Sequence, residues 1–577
     1  MKRGICLVLC LAMLFVLLIG CSANSSQQTT NTTTGATTTD VTTTTEGTQA
    51  EDKTPITFTA FNIISDPNEN GWQSPVAKKI TELTGVTLKI EYAVGDYNEK
   101  IALMAASGTY PDFLYLQDAT APIFNAGGVI KLDEYIEKYG ENVKKFFGDK
   151  IGRMRRSLED PGIYYLATAS IDGSVLTTSG GFELQHAVLK ELGYPKITTV
   201  QDFENAIKTY IEKYPTIDGK PTIGMSVCCD DWRVLISVGC SIVYSTGITF
   251  GTGAYTYRLD FNDTDYKVQV QYKRPEFREY MKWLNHMYNV GLMDPDCVTQ
   301  KYDDYLAKIS SGRVLGLSDF TWEYGAAETA LRQANMEDRT YAVLPVVLKE
   351  GMKNSMYAGK ADFTPAYGYM ISSSCKDPVR AFKFLDWMCT DEAQILTNWG
   401  IEGVNYTIEN GKRVRSEEET QRGLNDPNYR RDTGVGVYAY PFPSHGHGVL
   451  DPTGNTYSTS TDESIMENYT ESAKATLNAY GVKMWSDLFP KPEDFDMTPY
   501  GSPGEKVFPP DSEANIIQTN LRDLEYKYYG RLIVCDPSEF DSIMDSWLKE
   551  IDDANAAKLE ELTSKLLQDV VKLYNMK

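Results

Sequence analysis

The sequence predicts an α/β protein in which parallel strands alternate with helices. Between residues 55 and 116, strand and helix patterns follow one another with short connections. The same alternation returns between residues 200 and 400, and the C-terminal segment carries a helical apolar stripe. Strands that alternate with helices favour parallel pairing and right-handed crossovers.

The first strand and helix have clear boundaries. The segment PITFTAFNI, from Pro55, is rich in β-branched and aromatic residues, as strands are. Ser74 and Pro75 are typical of a helix N-cap and first helical residue, and Gly85 ends that helix.

The next three elements complete a strand-helix unit. VTLKIEYA (86–93) alternates apolar and polar side chains, which predicts a strand. Asp96 is the predicted cap of a helix that closes at Gly108, and the apolar segment FLYL (113–116) follows as a strand.

The later elements repeat this theme. Apolar residues at helical spacing predict helices over 201–214 and 275–291, and Asp377-Pro378 opens one long helix that ends near Gly400. DYLAKISSGRVLGLSDFTW (304–322) reads as a helix, a Ser-Gly break and a strand. The stripe of the C-terminal helix comprises Leu559, Leu562, Leu566, Val570 and Leu573.

The N-terminus has the features of a lipoprotein signal. Lys2 and Arg3 precede an apolar run that is too short to span a membrane comfortably. The run ends in Leu18-Ile19-Gly20-Cys21, which resembles the lipobox of bacterial lipoproteins. This resemblance implies cleavage after residue 20 and lipidation of Cys21; an ordinary cleaved signal with an incidental cysteine is the alternative. Residues 21–54 are rich in threonine and predict a disordered linker.

Composition limits the function further. The formal net charge of −23 argues against binding of nucleic acid, anionic lipid or a highly anionic ligand. Seven cysteines remain after the signal and Cys21 are set aside, with no CxxC pair, so they are expected to be small buried hydrophobes. The 37 tyrosines and 8 tryptophans suit a sugar-binding cleft, because a flat ring matches the apolar face of a pyranose.

Three blocks resemble the extracellular solute-binding lipoproteins of carbohydrate ABC transporters, family 1. They are AASGTYPDFLYL (105–116), NVGLMDPDCVTQKYDDYLAKISSGRVLG (289–316) and WGIEGVNYTIENGK (399–412). The last block is similar to a signature of the large Gram-positive subgroup for aldouronate-type and other oligosaccharides. The resemblance covers roughly residues 55–570.

The resemblance implies a two-lobe fold of the periplasmic-binding-protein type (type II), closing on ligand like a hinged clamp, with additional C-terminal helices. The expected division is an approximate first lobe of 55–165 plus 325–400 and a second of 166–324 plus 401–577. It also implies a monomer that is anchored to the cell membrane by lipid alone, on the extracellular face, and that delivers an oligosaccharide to ABC permease subunits. The protein is expected to bind no cofactor and to catalyse no reaction.

One departure from the subgroup concerns calcium. Many members carry a loop rich in Asp and Asn, but the corresponding segment here, YPTIDGKPTIGM (214–225), has only Asp218 and places Lys220 among the expected oxygen donors. Calcium needs six to eight oxygens. We therefore expect no metal at this position.

Candidate ligand-binding residues follow from strand ends, polar loops and the signature block. Ligands of open α/β sheets bind beyond the carboxyl ends of strands. The candidates are Asn62, Trp72, Asp230, Trp232, Asp319, Trp322, Tyr367, Trp399, Glu402 and Tyr406. Three of them have a structural alternative: Trp322 could wedge the lobe interface, Glu402 could fix the turn of the signature block, and Tyr367 could face the core.

Two other functions stay open at this point. A peptide or lipopeptide receptor on the same scaffold would use more backbone donors and acceptors and fewer rings. A surface glycoside hydrolase would need two carboxylates that flank a glycosidic bond, which sequence spacing does not establish. The SHGHG segment (444–448) offers two imidazoles to a metal but no third ligand, so a glycine-rich loop is the preferred interpretation.

Overall fold

Strands and helices make up most of the protein beyond the predicted linker. The computed structural model describes residues 52–576 except 118, 169–171, 174–179, 247–248, 253–256, 261, 358–364, 366, 501–502, 504–507 and 509–511. The predicted signal, Cys21 and the predicted linker as far as residue 51 lie outside the described residues.

The described strands form two main sheets and three small ones. In chain order, the described strands are β1 (Ile56–Asn62), β2 (Val86–Tyr92), β3 (Phe113–Tyr115), β4 (Tyr165–Ala167), β5 (Gly180–Gln185), β6 (Thr216–Ile217), β7 (Lys220–Pro221), β8 (Ile223–Ser226), β9 (Thr249–Thr252), β10 (Tyr257–Asp260), β11 (Val268–Val270), β12 (Val314–Phe320), β13 (Tyr341–Leu344), β14 (Gly368–Ile371), β15 (Thr407–Glu409) and β16 (Lys412–Val414).

Helices fill most of the connections between the strands. In chain order, the described α-helices are α1 (Pro75–Thr84), α2 (Tyr97–Ser107), α3 (Ala121–Asn125), α4 (Asp133–Tyr139), α5 (Glu141–Phe147), α6 (His186–Glu191), α7 (Val200–Lys213), α8 (Ser241–Thr246), α9 (Pro275–Asn289), α10 (Tyr302–Ser310), α11 (Thr321–Gln333), α12 (Pro378–Met388), α13 (Asp391–Trp399), α14 (Glu417–Asn425), α15 (Tyr429–Thr433), α16 (Asp462–Glu467), α17 (Glu471–Tyr480), α18 (Glu513–Val534), α19 (Phe540–Asp553) and α20 (Ala556–Tyr574).

The first sheet has the order β2-β1-β3-β14-β4. Strand β1 pairs in parallel with both β2 and β3, as the strand-helix alternation predicts, whereas β14 runs antiparallel to its two neighbours. The second sheet has the order β13-β5-β12-β8, in which β8 and β12 are parallel and β5 is antiparallel to β12 and β13. The α/β prediction is therefore confirmed.

The caps of the first two helices form as predicted. The Ser74 hydroxyl accepts a hydrogen bond from the Ala77 amide at 3.2 Å, and Gly85 ends α1 with a φ of 73°. An added Cβ at Gly85 would lie 2.4 Å from the Lys53 carbonyl oxygen, so the position requires glycine for space as well as for conformation. Asp96 caps α2 in the same way through the Asn98 amide.

Two helix predictions need correction. The long helix after Asp377 is divided into α12 and α13, because Thr390 takes an extended conformation and its hydroxyl caps α13 through the Ala393 amide. In α20, the buried positions include Thr563 and Leu567, while the predicted Leu562 and Leu566 are only partly buried.

Each main sheet has its own hydrophobic core, and the C-terminal helices belong to the second. The larger cluster joins the second sheet to α9, α18, α19 and α20, and its central ring is the fully buried Trp547. The other cluster joins the first sheet to α1, α12 and α13 and includes residues 429–442.

Two observations bear on the approximate lobe division, which stays a prediction. Strand β13, at 341–344, pairs in the second sheet although the sequence-based division assigned 325–400 to the first lobe. Conversely, residues 429–442 pack in the first core rather than the second. Residues 52–577 form one compact unit.

The described cysteines are unpaired and mostly buried, as expected for small hydrophobes. Cys228, Cys297, Cys389 and Cys535 are buried, whereas Cys229 and Cys375 are partly buried. Within the described ranges, no helix combines the length and the apolar character that a membrane crossing requires.

Candidate functional site

Five tyrosines surround a cavity at the carboxyl edge of the first sheet. Asn62, Tyr92 and Tyr115 are the last residues of β1, β2 and β3, and the strand register places them side by side. The antiparallel β14 brings Tyr369 to the same edge. We call the cavity the tyrosine pocket; its rings are Tyr92, Tyr115, Tyr369, Tyr438 and Tyr440.

Hydrogen bonds fix several of these rings. The Tyr369 hydroxyl donates to Asn62 Oδ1 at 2.9 Å, and the Tyr115 and Tyr440 hydroxyls contact each other. The Tyr115 ring meets Tyr440 edge-on, with centroids 5.5 Å apart. Tyr115 and Tyr369 are almost fully buried, whereas Tyr440 is 46% exposed and forms the rim.

Two carboxylates, Asp66 and Glu69, also line the tyrosine pocket. Asp66 accepts hydrogen bonds from the Asn68 amide and side chain, and Glu69 accepts from the amides of Gly71 and Trp72. Burial raises the pKa of the Tyr92 hydroxyl, and the negative charge of Glu69 raises it further. Both carboxylates therefore line the pocket, and the charge of Glu69 also acts on the Tyr92 hydroxyl within it.

The carboxyl edge of the second sheet carries exposed tryptophans. Trp322 follows β12 and is 58% exposed, and Trp232 follows β8 and is 42% exposed. Their rings stack with centroids 6.0 Å apart and planes 15° apart, and Phe320 lies 5.8 Å beyond Trp322. We call these three rings the tryptophan ladder.

A partly buried arginine supports the tryptophan ladder. The Arg233 guanidinium lies 4.8 Å from the centre of the Trp232 ring and 3.8 Å from that of Tyr302. It forms ion pairs with Asp231 at 2.7 Å and Glu323 at 3.0 Å. An arginine that is stacked on two rings and paired with two carboxylates holds the loop that carries Trp232 against α11.

A C-terminal tyrosine lies near the same surface. Tyr526, on α18, is 42% exposed. Its pKa is raised mainly by burial, and the Asp231 carboxylate contributes to the increase. The sequence offered no signal for this residue, because only tertiary packing brings α18 to the loop after β8.

The predicted Asp319 and Asp230 have structural partners. Asp319 is 4% exposed and accepts hydrogen bonds from the Tyr305 hydroxyl at 2.7 Å and the Phe320 amide at 2.8 Å. Burial raises its pKa to about 7. Asp230 accepts from Lys301 Nζ and from the Tyr302 amide, so it holds the start of α10. Ligand contact by Asp319 and Asp230 stays a prediction.

Trp72 is a core residue, which corrects the prediction that its polar loop exposes it. It is 3% exposed, its ring packs 4.7 Å from Tyr438, and its indole donates to the Thr81 hydroxyl at 2.9 Å. The reason is local: the Glu69 carboxylate binds the Trp72 amide and folds the loop back onto α1.

The signature block is a packed hairpin. Trp399 is 8% exposed and donates to the Thr456 carbonyl at 2.9 Å, and Tyr406 meets its ring edge-on at 5.9 Å. An added Cβ at Gly400 would lie 2.4 Å from Asn405 Oδ1, so the turn requires glycine. Trp399 and the partly buried Tyr406 therefore pack within the hairpin, and neither lines the tyrosine pocket. Their contact with ligand stays a prediction.

Two further predicted residues are partly accessible. Glu402 is exposed at the turn of the signature block. Tyr367 precedes β14 and is partly buried, and its carbonyl accepts a hydrogen bond from the Thr168 amide at 2.7 Å. Their contact with ligand remains a prediction.

The described histidines and acidic residues show no metal centre. His445 Nδ1 lies 3.0 Å from Asp172, and His447 Nδ1 lies 3.2 Å from the Ser458 hydroxyl. Within the described residues, no three His, Cys, Asp or Glu side chains are grouped as metal ligands would be. Asp218 and Lys220 lie in the β6–β7 hairpin, with Asp218 in a left-handed conformation.

Glu183 is an unusual acid within the core of the second sheet. It is fully buried, and burial raises the pKa of its carboxyl well above the usual range; Asp319 and Glu328 add to this effect, while the Tyr324 hydroxyl opposes it. The folded protein therefore keeps the Glu183 proton at pH values where the unfolded chain has lost it. Stability is lost as pH rises above the ordinary glutamate pKa of 4.5.

Glu183→Gln is expected to stabilise the protein at high pH. The free energy of unfolding of the variant should equal that of the parent near pH 4 and exceed it by about 1 kcal/mol or more at pH 8, since each pKa unit is about 1.4 kcal/mol. Urea titrations at the two pH values measure the difference. The exposed Glu134→Gln serves as the control, and an equal gain at both pH values would contradict the assignment.

The chain is similar to known bacterial proteins. A family model described as bacterial extracellular solute-binding protein matches residues 76–407. Lipoprotein LipO of Bacillus subtilis is 24% identical over 367 residues, which cover 60% of this chain and 66% of LipO. FusA of Streptococcus pneumoniae, a fructooligosaccharide ABC transporter substrate-binding protein, is 24% identical over 61% of this chain and 64% of its own length. The chain thus spans just under two thirds of these relatives.

Solved structures share the fold over nearly the whole chain. FusA in complex with kestose covers 89% of this chain and 99% of its own, with a TM-score of 0.63 and 18% identity. An HMO-binding, ABC-transporter-associated solute-binding protein from Bifidobacterium longum infantis covers 91% of this chain and 100% of its own, with a TM-score of 0.65 and 16% identity. At these identities the likeness establishes the two-lobe solute-binding fold and no more.

Proposed function

This chain belongs to the bacterial extracellular solute-binding protein family, and from that premise we propose that it captures an oligosaccharide outside the cell for an ABC importer. The observation that carries the proposal is that both main sheets end in exposed or partly exposed aromatic rings at their carboxyl edges. In α/β sheets this is where ligands bind.

The two edges supply complementary surfaces for a sugar chain. The tryptophan ladder offers broad aromatic area, and the tyrosine pocket offers hydroxyls and carboxylates that accept and donate hydrogen bonds to sugar hydroxyls. We propose that the ligand lies between the two edges and that closure of the lobes brings them together. Because the ligand binds the closed state more tightly than the open state, it shifts the equilibrium between the two toward the closed state.

Membrane attachment is part of the proposal. LipO is described as a lipoprotein, which supports the lipid anchor predicted at Cys21. Two or more acyl chains hold a protein stably at a bilayer. The anchor keeps the monomeric receptor near the permease and raises its effective concentration there, on the extracellular face. The protein then transfers its ligand unchanged, without catalysis.

A thermal-shift and calorimetry screen tests the function. Residues 52–577, which form one compact unit, are screened against neutral, amino and acidic oligosaccharides and a peptide panel. At a hundredfold excess over Kd, a ligand is expected to stabilise the folded protein by about 2.7 kcal/mol, which raises the Tm by several degrees. Chromatography of the recovered ligand checks that it is intact. Binding of peptides alone, or cleavage of the sugar, would overturn the proposal.

A further inference from the structure

The tyrosine pocket is strongly negative for a sugar-binding surface. Its lining includes Asp66 and Glu69 and contains no lysine or arginine among the described residues. The cation that pairs with Asp66 is Arg430, whose guanidinium lies 3.9 Å from Asp66 Oδ2 and also donates to the Gly436 carbonyl. Glu69 is bound by two backbone amides rather than by a cation. The pocket therefore keeps at least one uncompensated negative charge.

The rings around these carboxylates are suited to a cation. The Tyr115 and Tyr369 rings are inclined by 65° with centroids 6.0 Å apart, and the Tyr115 and Tyr440 rings by 81°. These rings pack edge-on against one another, and a tyrosine ring beside a carboxylate attracts an ammonium group that lies over its face through cation–π attraction. A neutral hydroxyl would gain less from the same surroundings, and a carboxylate would be repelled.

The size of the pocket selects a small group. Its volume is about 40 Å³, which is room for about three water molecules at roughly 10–15 Å³ each by the same measure. A pyranose ring does not fit into it, but a substituent of the ring does. The rest of the sugar would lie over the rim at Tyr440, which is 46% exposed.

A buried amide in the lining has an unused donor. Asn62 is 4% exposed, and its Oδ1 accepts the hydrogen bond from Tyr369, while its Nδ2 has no hydrogen-bond partner among the described residues. Asn62 Nδ2 is not one of the enclosed unpaired side-chain atoms of the described residues, so it is accessible at the pocket and can donate a hydrogen bond to a ligand or to water. A ring hydroxyl next to an amino group would accept this hydrogen bond.

We propose that the tyrosine pocket binds the protonated amino group of a hexosamine, so that the ligand of this protein is an oligosaccharide with unacetylated amino sugars. The ammonium donates to Asp66 and Glu69, and the neighbouring hydroxyl accepts from Asn62. This inference rests on the proposed oligosaccharide-binding function and specifies its substrate class.

Matched tetrasaccharides test the inference. Calorimetry at pH 6 and low salt compares four ligands on residues 52–577: the β-1,4-linked tetramer of glucosamine, its N-acetylated form, cellotetraose and tetragalacturonate. The glucosamine tetramer is expected to bind at least tenfold more tightly than the other three. Raising the pH until the ligand amine is neutral should remove that advantage.

Two pocket variants and one control locate the effect. Asp66→Asn and Glu69→Gln are each expected to reduce the preference for the glucosamine tetramer at least fivefold, while the exposed Glu99→Gln leaves it unchanged. If a variant fails to fold, the pH dependence of binding to the parent protein still decides the question.

The outcomes separate this inference from the proposed function. Equal or tighter binding of cellotetraose, the N-acetylated tetramer or tetragalacturonate overturns the amino-sugar inference and leaves the oligosaccharide-binding function standing. Failure of all four ligands, together with a negative screen of other sugars, overturns both.

Discussion

Trp322→Ala is expected to weaken oligosaccharide binding by about thirtyfold. Truncation of a tryptophan at the centre of an interface typically costs at least about 2 kcal/mol, and each 1.4 kcal/mol is a tenfold change in Kd. Trp322 is 58% exposed, and among the described residues its ring stacks on Trp232 and Phe320, so its loss leaves little buried surface unfilled. The Tm without ligand should therefore stay within about 2 °C of the parent.

Calorimetry with the tightest sugar from the screen measures this loss. The Trp322→Phe variant keeps a stacking ring and should retain part of the affinity. The control is Leu424→Ala, which truncates an exposed apolar side chain on a different helix, α14, and should bind the sugar as tightly as the parent does. Unchanged affinity of Trp322→Ala, with an unchanged Tm, would exclude the tryptophan ladder from the ligand surface.

The local elements of this fold could be predicted because their signals are local. The helix caps Ser74 and Asp96 bind amides two or three residues away, and the alternation in 86–92 shows one buried face. The break between α12 and α13 was missed because the apolar pattern continues through Cys389 and Thr390, and only the cap at Thr390 marks the new start.

The candidate site could be predicted only where it follows directly from a strand end. Trp232 and Trp322 each come a few residues after a strand of the second sheet, and the structure exposes both and stacks them. The same rule, applied to β2 and β3, points to Tyr92 and Tyr115, which the sequence analysis did not select. Tyr438 and Tyr440 reach the pocket from a distant part of the sequence, and no local pattern identifies them.

Sequence neighbours do not predict burial where a loop folds back onto the core or where side chains pack within a hairpin. Trp72 lies among polar residues, yet the amide caps of Glu69 turn it into the core. The side chains of the signature block pack within its own hairpin: Trp399 lies beneath Arg413 and Arg415, and the Arg413–Asp451 ion pair is buried. No local sequence pattern reveals this packing.

Trp547→Ala is expected to have the opposite effect from Trp322→Ala. Trp547 is fully buried in α19 and contacts Tyr272, Phe277 and the stacked ring of Tyr528, all within 5.5 Å between centroids. Removing a buried tryptophan typically costs about 3–5 kcal/mol, because surrounding residues cannot fill the cavity. For a domain as large as one lobe, the Tm of the variant should therefore lie below that of the parent by roughly 6–20 °C.

Differential scanning calorimetry and ligand titration of the same variant separate packing from binding. Well below the transition, Trp547→Ala should bind oligosaccharide as tightly as the parent, since the ring lies in the core that joins α18, α19 and the second sheet rather than at a sheet edge. Trp322→Ala is the matched control, because it deletes the same type of side chain from an exposed site. If Trp547→Ala left the Tm unchanged, the C-terminal helices would be an appendage instead of part of the second lobe.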